Sequence, residues 1–228
     1  PDTRTAARSA SGRRPVAVIV PIYADFESVR LCLQSLLAAL PGPGEARVII
    51  VNDASPEASI TEYLNIIAQQ SAVSLLINTR NLGFVGSVNR ALKETKDEDI
   101  ILLNSDTVVP KDFIGRLAQC AASAPDIGTV TPLSNNGEET SFPIPNRRNP
   151  LGSRNKVMAI DATAAAVNAG RVIDIVNGTG FCLYIKRQCL DAAGSLSEDY
   201  YRGYLEDVDF CLRAKRLGFR NVCAPSVY

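Results

Sequence analysis

The sequence predicts an α/β protein with a mostly parallel central sheet flanked by helices. Three observations point there. Short β-branched runs carry no polar break, the mark of strands covered on both faces. Stretches with apolar residues at helical spacing lie between them. Polar side chains recur just past the strand ends, at Tyr23, Asp25, Asp53, Asn81 and Asp106. In open α/β sheets ligands bind at that carboxyl edge.

The elements follow in order. Residues 16–20 (VAVIV) form a strand ending at Pro21. Residues 26–40 place Val29, Leu33, Leu36, Leu37 and Leu40 on one helical face. Asp25 caps the start of that helix, and the PGPG at 41–44 stops it. A second strand covers 47–51, followed by the turn NDASP at 52–56; a helix then spans 58–70. Residues 72–78 form a third strand and 84–95 a third helix. The run DIILL at 99–103 is a fourth strand, closed by Asn104, Ser105 and Asp106. Pro110 suits the first turn of a helix reaching about 123, and 127–131 is a fifth strand.

The second half reads differently. Residues 134–156 are rich in Asn, Pro, Gly and Arg, the composition of a long exposed loop. The alanine-rich 161–170 is helical. The NGTG at 177–180 leads into a strand over 181–185. Residues 205–217 form a helix with Val208, Cys211, Leu212 and Leu217 on its buried face and Gly218 at its end. Glu206, Asp207 and Asp209 sit in its first turn, where the helix dipole favours negative charge. A short strand over 221–224 completes the series. There is no internal repeat.

Composition narrows the chemistry. The 228 residues balance 24 Lys and Arg against 24 Asp and Glu and include no histidine. Zero net charge argues against bulk binding to nucleic acid or to an anionic membrane. Lack of histidine excludes Ser-His-Asp and Cys-His systems in their usual form, and HExxH or Cys2His2 zinc sites. Carboxylates are left to carry acid–base chemistry near neutral pH. The six cysteines form no CxxC and lie mostly in apolar runs, so they read as buried free thiols of a reducing compartment. No apolar run approaches the ~18 residues of a membrane span, and no signal peptide opens the chain. A soluble domain in the cytoplasm is the expectation, with a peripheral position at the inner face of the membrane as the alternative. Residues 1–15, with four arginines against one aspartate, read as a linker or disordered arm, and the abrupt start suggests a piece of a longer protein.

Individually, the polar residues have plain structural readings. Asp106 after a buried strand can hold a hard divalent cation and leave positions open for phosphate, but a turn aspartate looks the same. Asp53 fits ordinary turn chemistry, Glu206 and Asp207 fit dipole complementation, and Asn81-Leu82-Gly83-Phe84 fits a strand-to-helix link. Gly178 and Gly180 suit a tight turn. Neither GxGxxG nor the Walker pattern occurs.

The ordered set is more specific. VAVIVPIY at 16–23, IIVNDAS at 49–55, NLGF at 81–84, LLNSD at 102–106 and YLEDVDFCLR at 204–213 occur in this order and spacing. The series closely resembles family 2 glycosyltransferases of the GT-A fold, from about Val16 to Tyr228. The resemblance implies a Rossmann-like nucleotide-binding half over about 16–133 and an acceptor and catalytic half over about 134–228. It implies inverting transfer of a sugar from a nucleotide-diphosphate sugar to an acceptor hydroxyl, in cell-surface polysaccharide or glycoconjugate synthesis. UDP is the default nucleotide; GDP and dTDP are the others.

Carried over residue by residue, Pro21, Tyr23 and Asp25 match the loop that touches the nucleobase, and Asp53 matches the acid that bonds it. Asn81 and Gly83 match a loop beside the nucleoside, with Asn89 a weaker candidate. Asn104, Ser105 and Asp106 match the Asp-x-Asp motif near ribose and metal. Asp106 is its kept half and the ligand for Mn²⁺ or Mg²⁺, whereas Asn104 departs from the motif and puts metal affinity in doubt. Gly178 to Gly180 match the acceptor-side wall. Glu206 and Asp207 match the acidic pair that supplies the base, with Asp207 preferred. The partners implied are a nucleotide-sugar donor, a saccharide or glycoconjugate acceptor and further domains of a longer parent, with no nucleic acid. Relatives commonly continue just past the equivalent of Tyr228 into a histidine that completes the metal site. Two other readings are a nucleotidyltransferase, disfavoured because no glycine-rich basic loop follows the first strand, and a non-catalytic nucleotide- or sugar-binding module.

Overall fold

The computed structural model describes residues 13–200 and 204–228. Most of the arm expected over 1–15 therefore lies outside the described residues. Among these residues eight strands form one sheet: β1 (Val16–Ile22), β2 (Ala46–Asn52), β3 (Val73–Ile77), β4 (Asp99–Leu103), β5 (Ile127–Pro132), β6 (Ile173–Asp174), β7 (Cys182–Ile185) and β8 (Arg220–Ala224). Their spatial order is β3-β2-β1-β4-β7-β5-β8-β6. β1, β2, β3 and β4 are mutually parallel, and β5 pairs with β8 in parallel. β7 runs antiparallel to both its neighbours, and β6 runs antiparallel to β8.

Among the described residues seven α-helices cover the sheet: α1 (Phe26–Ala38), α2 (Ala58–Ile67), α3 (Gly83–Leu92), α4 (Phe113–Ala122), α5 (Arg154–Val167), α6 (Arg187–Ala193) and α7 (Glu206–Arg216). The alternation of β1 explains its unbroken apolar run. Val16, Val18, Val20 and Ile22 pack with α1, α2 and α4 on one face. Ala17 and Ile19 pack with α3, α6 and α7 on the other. All six cysteines are free and buried, as the sequence predicts. Burial pushes thiols such as Cys32 and Cys189 up to about 12, leaving them protonated. Among the described residues no helix is long and apolar enough to cross a membrane.

Four expectations are corrected. Pro110 lies outside α4, which starts at Phe113 after Asp112 in a left-handed conformation. Residues 107–112 are held against α1 first, the buried Val109 amide donating to Ser35 Oγ. The segment 134–156 is not simply an exposed loop. It contains a 3-10 turn at Glu138–Thr140 and buries Thr140, Ser141 and Asn149, and its last residues open α5, seven residues ahead of the predicted helix start. Ser153 caps α5 through a bond from the Lys156 amide, a signal hidden among neighbouring polar residues. The buried face of α7 is Glu206, Phe210, Cys211 and Ala214, while Leu212 and Leu217 are exposed and Val208 is half-buried. Apolar periodicity alone misses this rotation because one buried position is a glutamate. α6 and β6 were not anticipated, being seven and two residues long.

Asp99 clasps the parallel half of the sheet to the rest. Its carboxylate accepts from the Tyr184 hydroxyl on β7 and from the Arg187 amide at the start of α6. Tyr184 is 2% exposed, and burial, with Asp99 beside it, pushes its phenol up. Removing the acceptor leaves a buried hydroxyl unsatisfied. Asp99→Ala is expected to lower stability by roughly 2 kcal/mol in urea unfolding. The double variant Asp99→Ala/Tyr184→Phe should lose less than the two single losses added together, because the stranded hydroxyl is gone.

Candidate functional site

The strand order reverses between β1 and β4, and a crevice opens at their carboxyl ends, as the switch-point rule requires. A cavity of about 790 Å³ occupies it. Its wall includes Pro21, Tyr23 and Asp25 from the end of β1, Asp53 from β2, Asn81 and Gly83 before α3, and Asn104, Ser105 and Asp106 after β4. The structure thus brings together in one cavity the nine residues singled out for nucleotide and metal binding.

Each loop in that wall is held by identifiable bonds. Asp25 has φ 70°, and its carboxylate accepts from the Ser28 amide and hydroxyl, capping α1 and holding the carboxyl below its usual range. The Asp25 and Phe26 amides donate to the two oxygens of Glu57 at 2.7 and 3.2 Å. Glu57 was missed in the sequence because its position, just before α2, suggests a local cap. Its side chain instead supports a loop 32 residues away.

Asp53 is 4% exposed, and three donors converge on it. Oδ1 accepts from Asn78 Nδ2 at 2.6 Å and from the Leu82 amide at 2.7 Å; Oδ2 accepts from the Gly83 amide at 2.9 Å. Asn81 Oδ1 also accepts from the Gly83 amide, closing a turn in which Gly83 has φ 73°. That conformation suits glycine. Behind Asp53, the buried Asn78 donates to Ser87 and accepts from Arg90. Asn89, the weaker candidate, lies away from the cavity wall. It is buried and exchanges two hydrogen bonds with the backbone of Leu196, tying α3 to the 195–196 segment.

The Asn104 turn is fixed from three sides. Its amide donates to Phe181 O at 2.9 Å, its carbonyl accepts from the Thr107 amide, and the Cys32 thiol also donates to that carbonyl. Asp106 follows with an exposed side chain that bonds to none of the described residues.

Glu206 and Asp207 lie outside this wall but close to it along the chain of contacts. Asp207 Oδ2 accepts from the Gly180 amide at 2.7 Å, and Gly180 precedes Phe181, the partner of Asn104. Gly178 packs so closely that an added Cβ would lie 2.4 Å from Leu183 Cδ1 and 2.5 Å from Thr131 Oγ1. Close approach, not a turn conformation, is the reason for that glycine. Glu206 is 6% exposed, and its Oε2 has no hydrogen-bond partner among the described residues. Burial pushes its carboxyl up, and the charge of Asp207 adds to the effect. Tyr204 and Leu205, just ahead, take consecutive left-handed conformations (φ 77° and 76°) and stand exposed. Non-glycine residues there are sparsely populated and cluster at functional loops.

The residues fit a divalent cation of a particular kind. No group of three His, Cys, Asp or Glu side chains among the described residues forms a metal cage. Asp106 instead offers one bare carboxylate at the wall of an open cavity. That arrangement suits an ion taking its remaining oxygens from phosphate and water.

Comparisons with known proteins agree with this geometry. The chain is 30% identical over 120 residues to the undecaprenyl-phosphate 4-deoxy-4-formamido-L-arabinose transferase of Pectobacterium carotovorum, a match covering 50% of this chain and 36% of that protein. The chain spans about a third or less of the length of the first curated relatives it matches. Its fold superimposes on GalNAc-T7, crystallised with UDP, GalNAc and Mn²⁺, with TM-score 0.72 at 13% identity, over 94% of this chain and 43% of that one. It also superimposes on a Pyrobaculum calidifontis mannosyltransferase in complex with GDP-Man and Mn²⁺, with TM-score 0.65 at 17% identity, over 92% and 54%. The architecture is the GT-A fold of these glycosyltransferases. The family model for Glycosyl transferase family 2 matches residues 17–180, and with the motifs, the sheet order and the cavity in agreement, the chain belongs to that family of glycosyltransferases.

Proposed function

We propose that this chain transfers a sugar, with inversion, from a nucleotide-diphosphate sugar to an acceptor hydroxyl, UDP-sugar being the favoured donor. The observation that carries the reading is the junction of the cavity with Asp207 through 180–181. It brings the Asp207 carboxylate next to the turn that bears Asp106, which supports reading Asp207 as the proton acceptor. In this reading Pro21, Tyr23, Asp25, Asp53, Asn81 and Gly83 receive the nucleoside, and Asn104, Ser105 and Asp106 face the ribose and diphosphate. A Mn²⁺ or Mg²⁺ held by Asp106 would supply Lewis-acid stabilisation of the leaving diphosphate. Asp207 accepts the proton of the acceptor hydroxyl as its oxygen bonds to the anomeric carbon and the nucleoside diphosphate departs from the opposite face. The two amides on Asp207, from Gly180 and Val208, orient it for that task. Glu206, the second choice, is the less accessible to an acceptor hydroxyl, because it is buried. The acceptor belongs to cell-surface polysaccharide or glycoconjugate synthesis.

Asp207→Asn should lower turnover on the order of 10²–10⁴-fold while leaving UDP binding by calorimetry nearly unchanged; full turnover would remove Asp207 from the role. Mn²⁺ alone should bind weakly, and Mn²⁺ should strengthen UDP binding in the parent but not in Asp106→Ala. Equal UDP affinity with and without Mn²⁺ in the parent would overturn the metal role. Glu206 is more easily protonated folded than unfolded, so its contribution to stability is full below the unfolded carboxylate value and is lost as pH rises through the folded one. Glu206→Gln cannot ionise. Its stability relative to the parent should therefore rise with pH through that window and then level off, as measured by urea unfolding at a series of pH values.

A further inference from the structure

We propose that the segment over 142–156 is a docking surface for an anionic lipid membrane. Zero net charge for the whole chain conceals a local excess. Residues 142–160 contain Arg147, Arg148, Arg154 and Lys156 and no acid. Beside these cations, Ile144 and Leu151 are 49% and 66% exposed, and Phe142, whose ring meets Tyr228 edge-on, is 40% exposed. A surface built only to meet a soluble polyanion has no use for three large apolar side chains in water. A basic surface with protruding apolar residues matches the headgroup region of an anionic bilayer, where charge attracts and apolar groups insert.

The segment is built to present those side chains. Asn149 is 4% exposed and holds the loop from within. Its Nδ2 donates to the carbonyls of Ile144 and Arg147, each at 3.0 Å, and its Oδ1 accepts from the Ile144 amide. Its own amide donates to Asn135 O at 2.8 Å, and the Asn146 amide donates to Glu138 O at 2.7 Å. Five backbone groups of the loop, at Ile144, Asn146, Arg147 and Asn149, are thereby satisfied within the protein, which lowers the cost of bringing them to an interface. Arg147 and Arg148 are exposed, and their side chains make no bond to the described residues. Arg154 shares a groove with Lys111, which extends the basic area toward α4. Of the two acids in that groove, Asp161 is paired with Arg116, and Asp112 remains at its edge.

The loop continues from the segment that meets the lead-in to β7: Thr179 Oγ1 donates to Gly137 O, and the Val176 amide donates to Glu139. Docking would turn the acceptor side of the site toward the lipid. That orientation rests on the function proposed above; the docking itself does not, and vesicle binding reads it without any transfer assay.

The test is co-sedimentation of the chain with phosphatidylcholine vesicles, with and without phosphatidylglycerol. The parent should bind only the anionic vesicles and should be released by salt. Arg147→Glu/Arg148→Glu should weaken binding at least ~10-fold, as should Ile144→Asp/Leu151→Asp, with thermal midpoints near the parent's. Lys215→Glu/Arg216→Glu, a pair of the same charge change at the far end of α7, should keep binding. A parent that stays in the supernatant with anionic vesicles overturns the proposal, as does equal loss in the control pair. Duplex DNA bound as tightly as the vesicles, and held equally by the Ile144→Asp/Leu151→Asp variant, would reassign the surface to nucleic acid.

Discussion

β7 runs against β4 and β5, so the residues leading into it reach the carboxyl edge of the sheet, beside the end of β4. A parallel strand in that place would begin at the opposite edge. Because of the reversal, Phe181 accepts from the Asn104 amide while Gly180 donates to Asp207. Two adjacent residues thus join the turn that carries Asp106 to the helix that carries the acidic pair. Gly178 lets the chain approach Leu183 and Thr131 without a Cβ, and its amide donates to Cys211 on α7. The Asp99 clasp to Tyr184 and Arg187 secures the other end of β7.

The cavity wall formed by residues 21–25, 53 and 81–83 depends on a different device, carboxylates that hold backbone amides. Asp53 gathers Leu82 and Gly83, and Glu57 gathers Asp25 and Phe26. Loops at a strand edge would otherwise leave these amides to water. Charge-assisted bonds to buried or half-buried carboxylates are stronger than neutral ones, so the wall is shaped before any ligand arrives. Asp106 stands apart from this pattern. Its exposed carboxylate lines the cavity and bonds to none of the described residues.

Periodicity made most of the first half legible. The strands ending at Ile22, Asn52 and Leu103, and the helices between them, follow from unbroken apolar runs and 3.6-residue spacing. The nine residues at the strand ends were legible as a set because a parallel sheet delivers them to one edge. Legibility fell where long-range contacts choose the conformation. Glu57 looks like a helix cap and supports another loop. Glu206 looks like a dipole complement and is buried. The 134–156 segment has loop composition, yet Asn149 folds it through bonds to residues near it in the chain and to Asn135.

By itself the sequence determined the α/β class, the parallel half of the sheet, the carboxyl edge as the place for chemistry and the carboxylates that reach it. Those properties are local or periodic, and each strand states its own burial. Tertiary structure alone decided the direction of β7, the contact between Gly180 and Asp207, the burial of Glu206 and the exposure of Phe142, Ile144 and Leu151 beside their neighbouring cations. A four-residue strand has no periodicity that tells its direction. Direction is set by which neighbours its backbone groups can pair with, and those neighbours lie some 80 residues back along the chain in β4 and some 50 back in β5.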